Sequence, residues 1–482
     1  MTPSKSLSKA LIELYSQQLF PLVPVMERRD LGEAGAAPIV QQAVYLGGSM
    51  MRRSKDYPGN LTPKDFLLRI KKLLFSDEQP DAFATLKSLC ILSCWSYQSP
   101  TAASLDTPLQ WSGMAMRLAM QLGLHKEASY ARLGNQKSAR RIWWFLFIAD
   151  TVQSLCYTRH PMLCHREFDV GLPDVTDFEC ADTGAIAFCH FARLSQVLGE
   201  IGRCYRTGQP TAEEETNQLL QSLQLWFNAL PQELHLFDLQ SSRRPYSRVI
   251  NELHIVAYVA LILIYLLPGR HRQRRDFCAA ATSAALCIDQ LYGEVLHMSE
   301  VSRLIPIHSW FILFSVVPRY YCARTLALHG QAASFPDEQS LLAVEVLSEM
   351  AETYPSAQWV KERVNKIVYG TGTGLDPSGP GGRAAPGTPR ASSIAVDVAE
   401  STSSPEGSEF EFGGLFDIPD DWCPGLAHLK HSFGPGASTQ HLEAEQWGLG
   451  VDLDLNLLLP GVSFEDLDTL TDFSSCVNFY DL

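Results

Sequence analysis

Cysteine and histidine are the residues best suited to bind a metal or to act as nucleophile and base, and the chain has 12 and 13 of them. Cys90 and Cys94 lie four residues apart on one face of a predicted helix, but no third ligand lies nearby in sequence. Cys156 with Cys164 and His165 lacks the Cys-x2-Cys spacing of structural zinc sites. We therefore predict core thiols and no metal site.

The common catalytic motifs do not occur in the sequence. It contains no G-x-x-x-x-G-K-[ST] or G-x-G-x-x-G phosphate loop, no G-x-S-x-G elbow and no H-E-x-x-H pair. The glycine-rich run 370–374 follows a predicted helix, whereas a nucleotide loop follows a strand. His160 and His165 lie in a predicted loop without a nucleophile placed for them. We predict no enzymatic activity and no cofactor.

The cysteines are scattered from Cys90 to Cys476, unlike the clustered framework of a small secreted domain. Residues 1–10 show no signal peptide. The most apolar run, 255–267, is shorter than the roughly 20 residues that cross a bilayer. We predict a buried helix for this run, free thiols in a reducing compartment, and no membrane.

The densest basic segment is 270–275, where five of six residues are basic or titratable. Such a segment could contact phosphate or serve as a nuclear-import signal, and the alternative is a solvated loop. It lacks the interleaved aromatic residues of single-strand binders. Its arginines are Arg270, Arg272, Arg274 and Arg275.

The elements that carry these residues are predicted to be helices throughout residues 1–370. Apolar residues follow Trp111 at spacings of three and four, and Gly123 stands where that helix needs a left-handed end. The segment 138–157 is apolar on nearly every face, as in a helix at the centre of a large domain. Alternating strand patterns are scarce. The sequence predicts an all-α, multi-helix domain.

The composition changes at Gly370. Residues 371–409 are mostly Gly, Pro, Ser, Thr and Ala, which bury too little apolar surface to order a chain, so we predict a disordered linker. From Gly370 onwards the chain has 18 acidic and 3 basic residues, a net charge of −15, whereas residues 1–369 have 35 acidic and 36 basic residues. Because phosphates repel acids, we do not expect the acidic tail 410–482 to hold DNA.

Large apolar residues return in the tail, now among acids, in the segments 409–422 and 464–473. In the second segment they recur every three positions, along one side of a short helix that needs a partner's groove to form. We predict an activation segment; the alternative is that residues 447–459 and 464–482 dock back onto the helical domain. The predicted activation residues are Phe412, Leu415, Phe416, Trp422, Phe464, Leu467, Leu470 and Phe473.

Three blocks of residues form a recognisable pattern: Gly-Leu-His at 123–125, Arg-Arg-x-Trp-Trp at 140–144, and Asp-Val-x-Leu-Pro at 169–173. With this pattern, residues 8–330 resemble the middle homology region of fungal-specific transcription factors, which implies a large helical regulatory domain. The matching residues are Gly123, Leu124, His125, Arg140, Arg141, Trp143, Trp144, Asp150, Arg159 and Pro161.

The resemblance implies that the two tryptophans fill a large core. Asp150 lies on so apolar a helix that we expect a cationic partner for its carboxylate. Three arginines are candidates, and the sequence does not choose among them: Arg140, Arg141 and Arg159.

Two departures from the family matter. The family's Gly-Arg-Pro turn is replaced here by His-Pro after Arg159, so this turn is expected to differ. The family's Zn2Cys6 cluster requires six closely spaced cysteines, and no cysteine precedes Cys90. We therefore expect the regulatory domain and the acidic tail without an autonomous DNA-binding module.

Together these observations predict a nuclear regulator of transcription. It would dock on a DNA-bound transcription factor, touch DNA only indirectly, and recruit the transcription machinery through its tail. The resemblance implies control of a gene cluster for a secondary metabolite. The alternatives are a truncated form of a Zn2Cys6 DNA-binding factor and a helical domain that senses a small-molecule effector.

Overall fold

A computed structural model of the protein describes residues 3–369, with eight gaps. The gaps are 33–35, 54–60, 77–80, 96–103, 158, 208–210, 268–273 and 329–336. The predicted linker 371–409 and the acidic tail 410–482 lie outside the described residues, together with all of the predicted activation residues. Arg270 and Arg272 also lie outside them, and only the backbone is described for Arg274 and Arg275.

Fourteen α-helices make up most of the described residues, and these contain no β-strand, only one isolated bridge between Phe237 and Arg243. The predicted all-α fold is confirmed. The helices are α1 (Lys5–Leu14), α2 (Pro38–Met50), α3 (Pro63–Leu74), α4 (Ala82–Leu92), α5 (Pro108–Gln121), α6 (Glu127–Tyr130), α7 (Gln136–Cys156), α8 (Thr183–Arg206), α9 (Glu213–Asn228), α10 (Arg248–Tyr265), α11 (Arg274–His297), α12 (His308–Leu328), α13 (Glu338–Thr353) and α14 (Pro355–Tyr369).

Several helices begin where the sequence supplies a cap. At the start of α3, the side chains of Thr62 and Asp65 each accept the other's backbone N–H, and Pro63 occupies the first helical position. The Asp182 carboxylate accepts the Ala185 N–H at 2.9 Å at the start of α8. These bonds satisfy amide groups that have no partner within the helix.

Helix α7 is buried on nearly every face, as the apolar segment 138–157 predicts. Trp143 and Trp144 are 0 % and 1 % exposed. The helix packs against α4, α5 and α8, so the residues of the second motif block lie at the centre of the fold.

Helix α10 contains most of the apolar run 255–267, and the prediction of a buried helix is confirmed. It packs among α8, α9, α11 and α12. Among the described residues it is the one helix long and apolar enough to cross a membrane by length and composition, yet 94 % of its 18 residues are buried within the protein. Such burial is expected of a core helix.

A buried ion pair joins the last helices. Arg319 of α12 is 3 % exposed, and its guanidinium lies 2.8 Å from the Asp289 carboxylate of α11 and 2.7 Å from Asp337 at the start of α13. Burial raises the pKa of Asp289 to about 6, against the opposing effect of Arg319. Removing any member would leave a charge buried without its partner.

The described cysteines are free thiols, and most are buried. Cys90 and Cys94 are core side chains, as the sequence predicts, and burial raises the pKa of Cys94 to about 12. Within the described ranges, no three His, Cys, Asp or Glu side chains are grouped in a way that could hold a metal ion.

Candidate functional site

The first motif block forms the turn after α5. Gly123 has a left-handed φ of +77°, and its N–H donates to the Met120 carbonyl at 3.0 Å. A Cβ at this position would lie 2.8 Å from Oγ of Ser129. Only glycine adopts this conformation without strain, so the predicted left-handed helix end is confirmed.

The second block is tied to this turn by a bidentate ion pair. The two terminal nitrogens of Arg140 lie 2.8 and 2.6 Å from the two carboxylate oxygens of Glu127 in α6. The Arg140 guanidinium holds the pKa of the Glu127 carboxyl below its usual range. A planar fork facing a carboxylate also fixes orientation, which a lysine would not do.

The third block closes a ring of hydrogen bonds around the same pair. The Gly171 N–H donates to Glu127 at 2.9 Å, and the Gly171 carbonyl accepts from Arg140 at 3.1 Å and from Nε1 of Trp144 at 2.8 Å. The Asp169 carboxylate accepts the Glu127 N–H at 2.8 Å. The three blocks therefore meet at one place, which we call the motif cluster: the turn 123–127, residues 140–144 and residues 168–173.

Phe168 lies at the aromatic centre of the motif cluster, and the sequence analysis missed it. Its ring centroid lies 5.2 Å from Trp143, 5.6 Å from Trp144 and 5.5 Å from Phe147, each in an edge-to-face arrangement. Glu127 was missed as well. The only signal for Phe168 was its position next to Asp169, and the signal for Glu127 was an acid in the first turn of a helix.

Arg141 points away from its neighbour Arg140 and is 3 % exposed. Its guanidinium donates to three main-chain carbonyls, those of Pro24 at 2.6 Å, Met26 at 2.9 Å and Asp177. Burial lowers its pKa, against the opposing effect of nearby acids. This side chain joins the loop after α1 and the turn before α8 to the central helix.

Asp150 does not have the partner expected for it. Its carboxylate accepts the backbone N–H of Leu163 at 2.7 Å, and none of the three candidate arginines forms an ion pair with it. Arg206 acts on it only as a nearby charge, and burial raises the pKa of Asp150 to about 6. The expectation was wrong because backbone amides, which a sequence pattern does not reveal, satisfy the carboxylate.

Arg159 and Pro161 lie on the loop after α7. The Arg159 N–H donates to the Ser154 carbonyl at 3.0 Å, and its exposed guanidinium lies 5.7 Å from the ring centroid of Tyr157. Neither residue belongs to the motif cluster, so the structure separates them from the other matching residues.

His125 lies at the edge of the motif cluster, with its ring centroid 6.2 Å from Trp143. Within the described part of the chain, Nδ1 of His125 and Nε1 of Trp143 are buried without a hydrogen-bond partner. An imidazole beside an indole has no second group with which to relay a proton, and catalysis by the motif cluster has no geometric support. The arrangement is suited to holding helices in register.

A narrow cavity lies next to the central helix, between α7, α8, α10 and α12. Its volume is about 10 Å³, and its walls are apolar, among them Leu155, Leu198, Val259 and Phe311. Ligand pockets are typically ≈ 300–1,000 Å³. This cavity therefore lends no support to a bound small-molecule effector.

Comparison with known proteins places the motif cluster inside a family domain. Residues 12–232 match the model of the fungal specific transcription factor domain. The chain therefore carries this domain, and all three motif blocks lie within it. No solved structure matches the chain.

Curated relatives are similar over the same part of the chain. The acetamidase regulatory protein of Emericella nidulans is 28 % identical over 278 residues, which cover 55 % of this chain and 34 % of that protein. Cutinase transcription factor 1 beta of Fusarium vanettenii is 26 % identical over 37 % of this chain and 22 % of its own length. The fusaric acid cluster transcription factor of Gibberella fujikuroi is 23 % identical over 47 % and 37 %. The chain thus spans about a third or less of the first two relatives.

Proposed function

We propose that this chain, which carries the fungal specific transcription factor domain over residues 12–232, is a non-catalytic regulator of transcription that acts in the nucleus. The observation that carries the proposal is the match of the motif cluster to this domain, together with relatives whose names describe transcription regulators. The acidic tail 410–482 supplies the activating part, since it combines large apolar residues with most of the acids beyond residue 370.

We further propose that the described helical body reaches DNA through a DNA-bound transcription factor. Residues 1–369 have 36 basic and 35 acidic residues, and many of the basic side chains are used internally. Arg140, Arg243 and Arg319 pair with carboxylates within the fold, and Lys87 contacts both Glu27 and Asp30. A body with balanced charge lacks the excess of cations that nonspecific phosphate binding requires.

The proposed target is a gene cluster for a secondary metabolite. The support for this finer proposal is one relative, the fusaric acid cluster transcription factor, at 23 % identity. Transcript profiling of a deletion strain would test it, since the proposal expects the changed transcripts to come from contiguous biosynthetic genes. Changes scattered over unrelated loci would contradict it.

The activating role can be measured by tethering. Residues 410–482 fused to a foreign DNA-binding domain are expected to activate a reporter, because their apolar residues fold against the transcription machinery on contact. Replacement of Phe464, Leu467 and Phe473 by Ala should remove most of this activity. The matched control replaces Ser463, Thr469 and Ser474, which lie in the same segment, and should leave activity unchanged. A tethered tail that leaves the reporter silent would refute the activating role.

A further inference from the structure

Helix α3 carries large apolar side chains on its outward face. Leu68 and Phe75 are 52 % and 69 % exposed, although Phe66 and Ile70 on the opposite face are fully buried. Lys72 is exposed and lies four residues after Leu68 and three before Phe75, so the three side chains follow one another along one face.

A fourth residue extends this surface. Lys71 lies 2.8 Å from the Asp106 carboxylate, which brings the segment before α5 to the end of α3. The preceding residue, Leu105, is 79 % exposed. We call the surface made by Leu68, Lys72, Phe75 and Leu105 the α3 face.

The α3 face is positively charged. The acid nearest to it, Asp106, is neutralised by Lys71, and Arg69 adds a second cation with its guanidinium 5.4 Å from the Phe66 ring centroid. Exposed leucine and phenylalanine next to cations form a surface that suits an acidic, apolar ligand.

We propose that the α3 face binds the segment 464–473 of the same chain. That segment presents Phe464, Leu467, Leu470 and Phe473 at three-residue intervals, with the acids Glu465, Asp466, Asp468 and Asp472 among them. Its apolar row matches the exposed Leu68 and Phe75, and its acids match Lys72. Both sides bury apolar surface while opposite charges meet at the rim.

The chain is long enough for this contact. Between Tyr369, where the described residues end, and Phe464 there are 94 residues. A Gly-rich random coil of that length has an end-to-end distance of roughly 50 Å, which is about the diameter of a domain of this size. A second copy of the chain fits less well, because two α3 faces would bring like charges together.

The test uses the full-length protein and a fluorescent peptide of residues 460–477. In the receiving protein, Phe464, Leu467 and Phe473 are replaced by Ala so that its own segment cannot compete. We expect this protein to bind the peptide about tenfold more tightly than the unmodified chain does, because the resident segment occupies the surface in the latter. Fluorescence anisotropy gives both dissociation constants.

Two further substitutions locate the binding surface. In the receiving protein, Lys72→Glu is expected to weaken peptide binding about tenfold by charge reversal, and the pair L68Q/F75Q at least as much. The matched control is Lys9→Glu, an exposed lysine of α1, which should leave the dissociation constant unchanged. Thermal unfolding of each variant verifies that the fold is retained.

The proposal is overturned if Lys72→Glu and Lys9→Glu bind the peptide equally, or if none of the proteins binds it. It is also overturned if light scattering shows a dimer that L68Q/F75Q converts to a monomer, since the occupant would then be a second copy. The binding measurement is independent of the proposed function. A segment that binds the α3 face but fails to activate a reporter would refute activation and leave this inference standing.

Discussion

At the scale of single residues, two adjacent arginines have different tasks. Arg140 lies in a bidentate pair with Glu127, whereas Arg141 is buried and donates only to main-chain carbonyls. The sequence predicts that both matter, because they belong to one motif block. Their partners could not be predicted, since Glu127 and Pro24 reach them only through the packing of α6 and the first loop against α7.

Asp150 provides a prediction about pH. Its pKa of about 6 in the folded protein lies above the ordinary value of 3.8, so the folded state holds this proton more tightly than the unfolded state does. The stabilising contribution is therefore complete below about pH 4 and is lost as the pH rises through 6. We expect the free energy of unfolding to lose about 1 kcal/mol from this group between pH 5 and pH 7.

The measurement compares urea unfolding of the wild type with that of Asp150→Asn at both pH values. Asn cannot titrate, so the variant should show a smaller decrease in stability than the wild type. Asp289, whose pKa is also raised to about 6, is present in both proteins and its contribution cancels in the comparison. Identical pH dependence in the two proteins would show that Asp150 does not titrate in this range.

At the scale of elements, periodicity located the long helices. The segments 138–157 and 255–267 are apolar enough on all sides to predict burial, and they form most of α7 and α10. The four-residue helix α6 was not predicted, because a single turn has no apolar period to read. That turn supplies Glu127, so the missed element and the missed site residue have the same cause.

The end of α5 allows a direct test of backbone geometry. Gly123→Ala is expected to lower the free energy of unfolding by about 1–2 kcal/mol, because alanine is strained at positive φ. Its Cβ would in addition lie 2.8 Å from Oγ of Ser129. Chemical denaturation of the purified variant gives the value.

The matched control for this substitution is Gly134→Ala. A Cβ at Gly134 would meet no atom within 4 Å, and its φ is not positive. This variant should be as stable as the wild type or slightly more stable, since alanine restricts the unfolded chain. Equal losses at the two positions would mean that the left-handed turn is not the source of the effect.

At the scale of the whole molecule, charge is divided unequally along the chain. The net charge of −15 beyond residue 369 accompanies a body whose charges balance. Counting residues was enough to find this division, and it underlies the proposed division of labour between docking and activation. The match of the motif blocks to the family was visible as well, whereas the exposed row on α3 required the fold, because the sequence pattern does not reveal which apolar residues remain outside.

The balanced body leads to a prediction about DNA. The purified 482-residue chain is expected to give no sequence-specific shift of promoter DNA at 150 mM salt, because it lacks a cationic surface that could release counterions. Adding the DNA-bound partner recovered from nuclei should produce a supershift. A specific complex formed by the pure chain alone would contradict the proposal of indirect contact and would favour the alternative of a truncated DNA-binding factor.

The carbonyl cradle around Arg141 has a consequence for how the protein tolerates mutation. Its acceptors are the main-chain oxygens of Pro24, Met26 and Asp177, which every amino acid possesses. Substitutions at those three positions keep the acceptors as long as the backbone keeps its course, whereas only arginine can span all three with one planar group. In a saturation mutagenesis screen, position 141 should therefore accept almost nothing while its three partners vary widely, and a search for co-varying pairs would overlook one of the contacts that hold the body together.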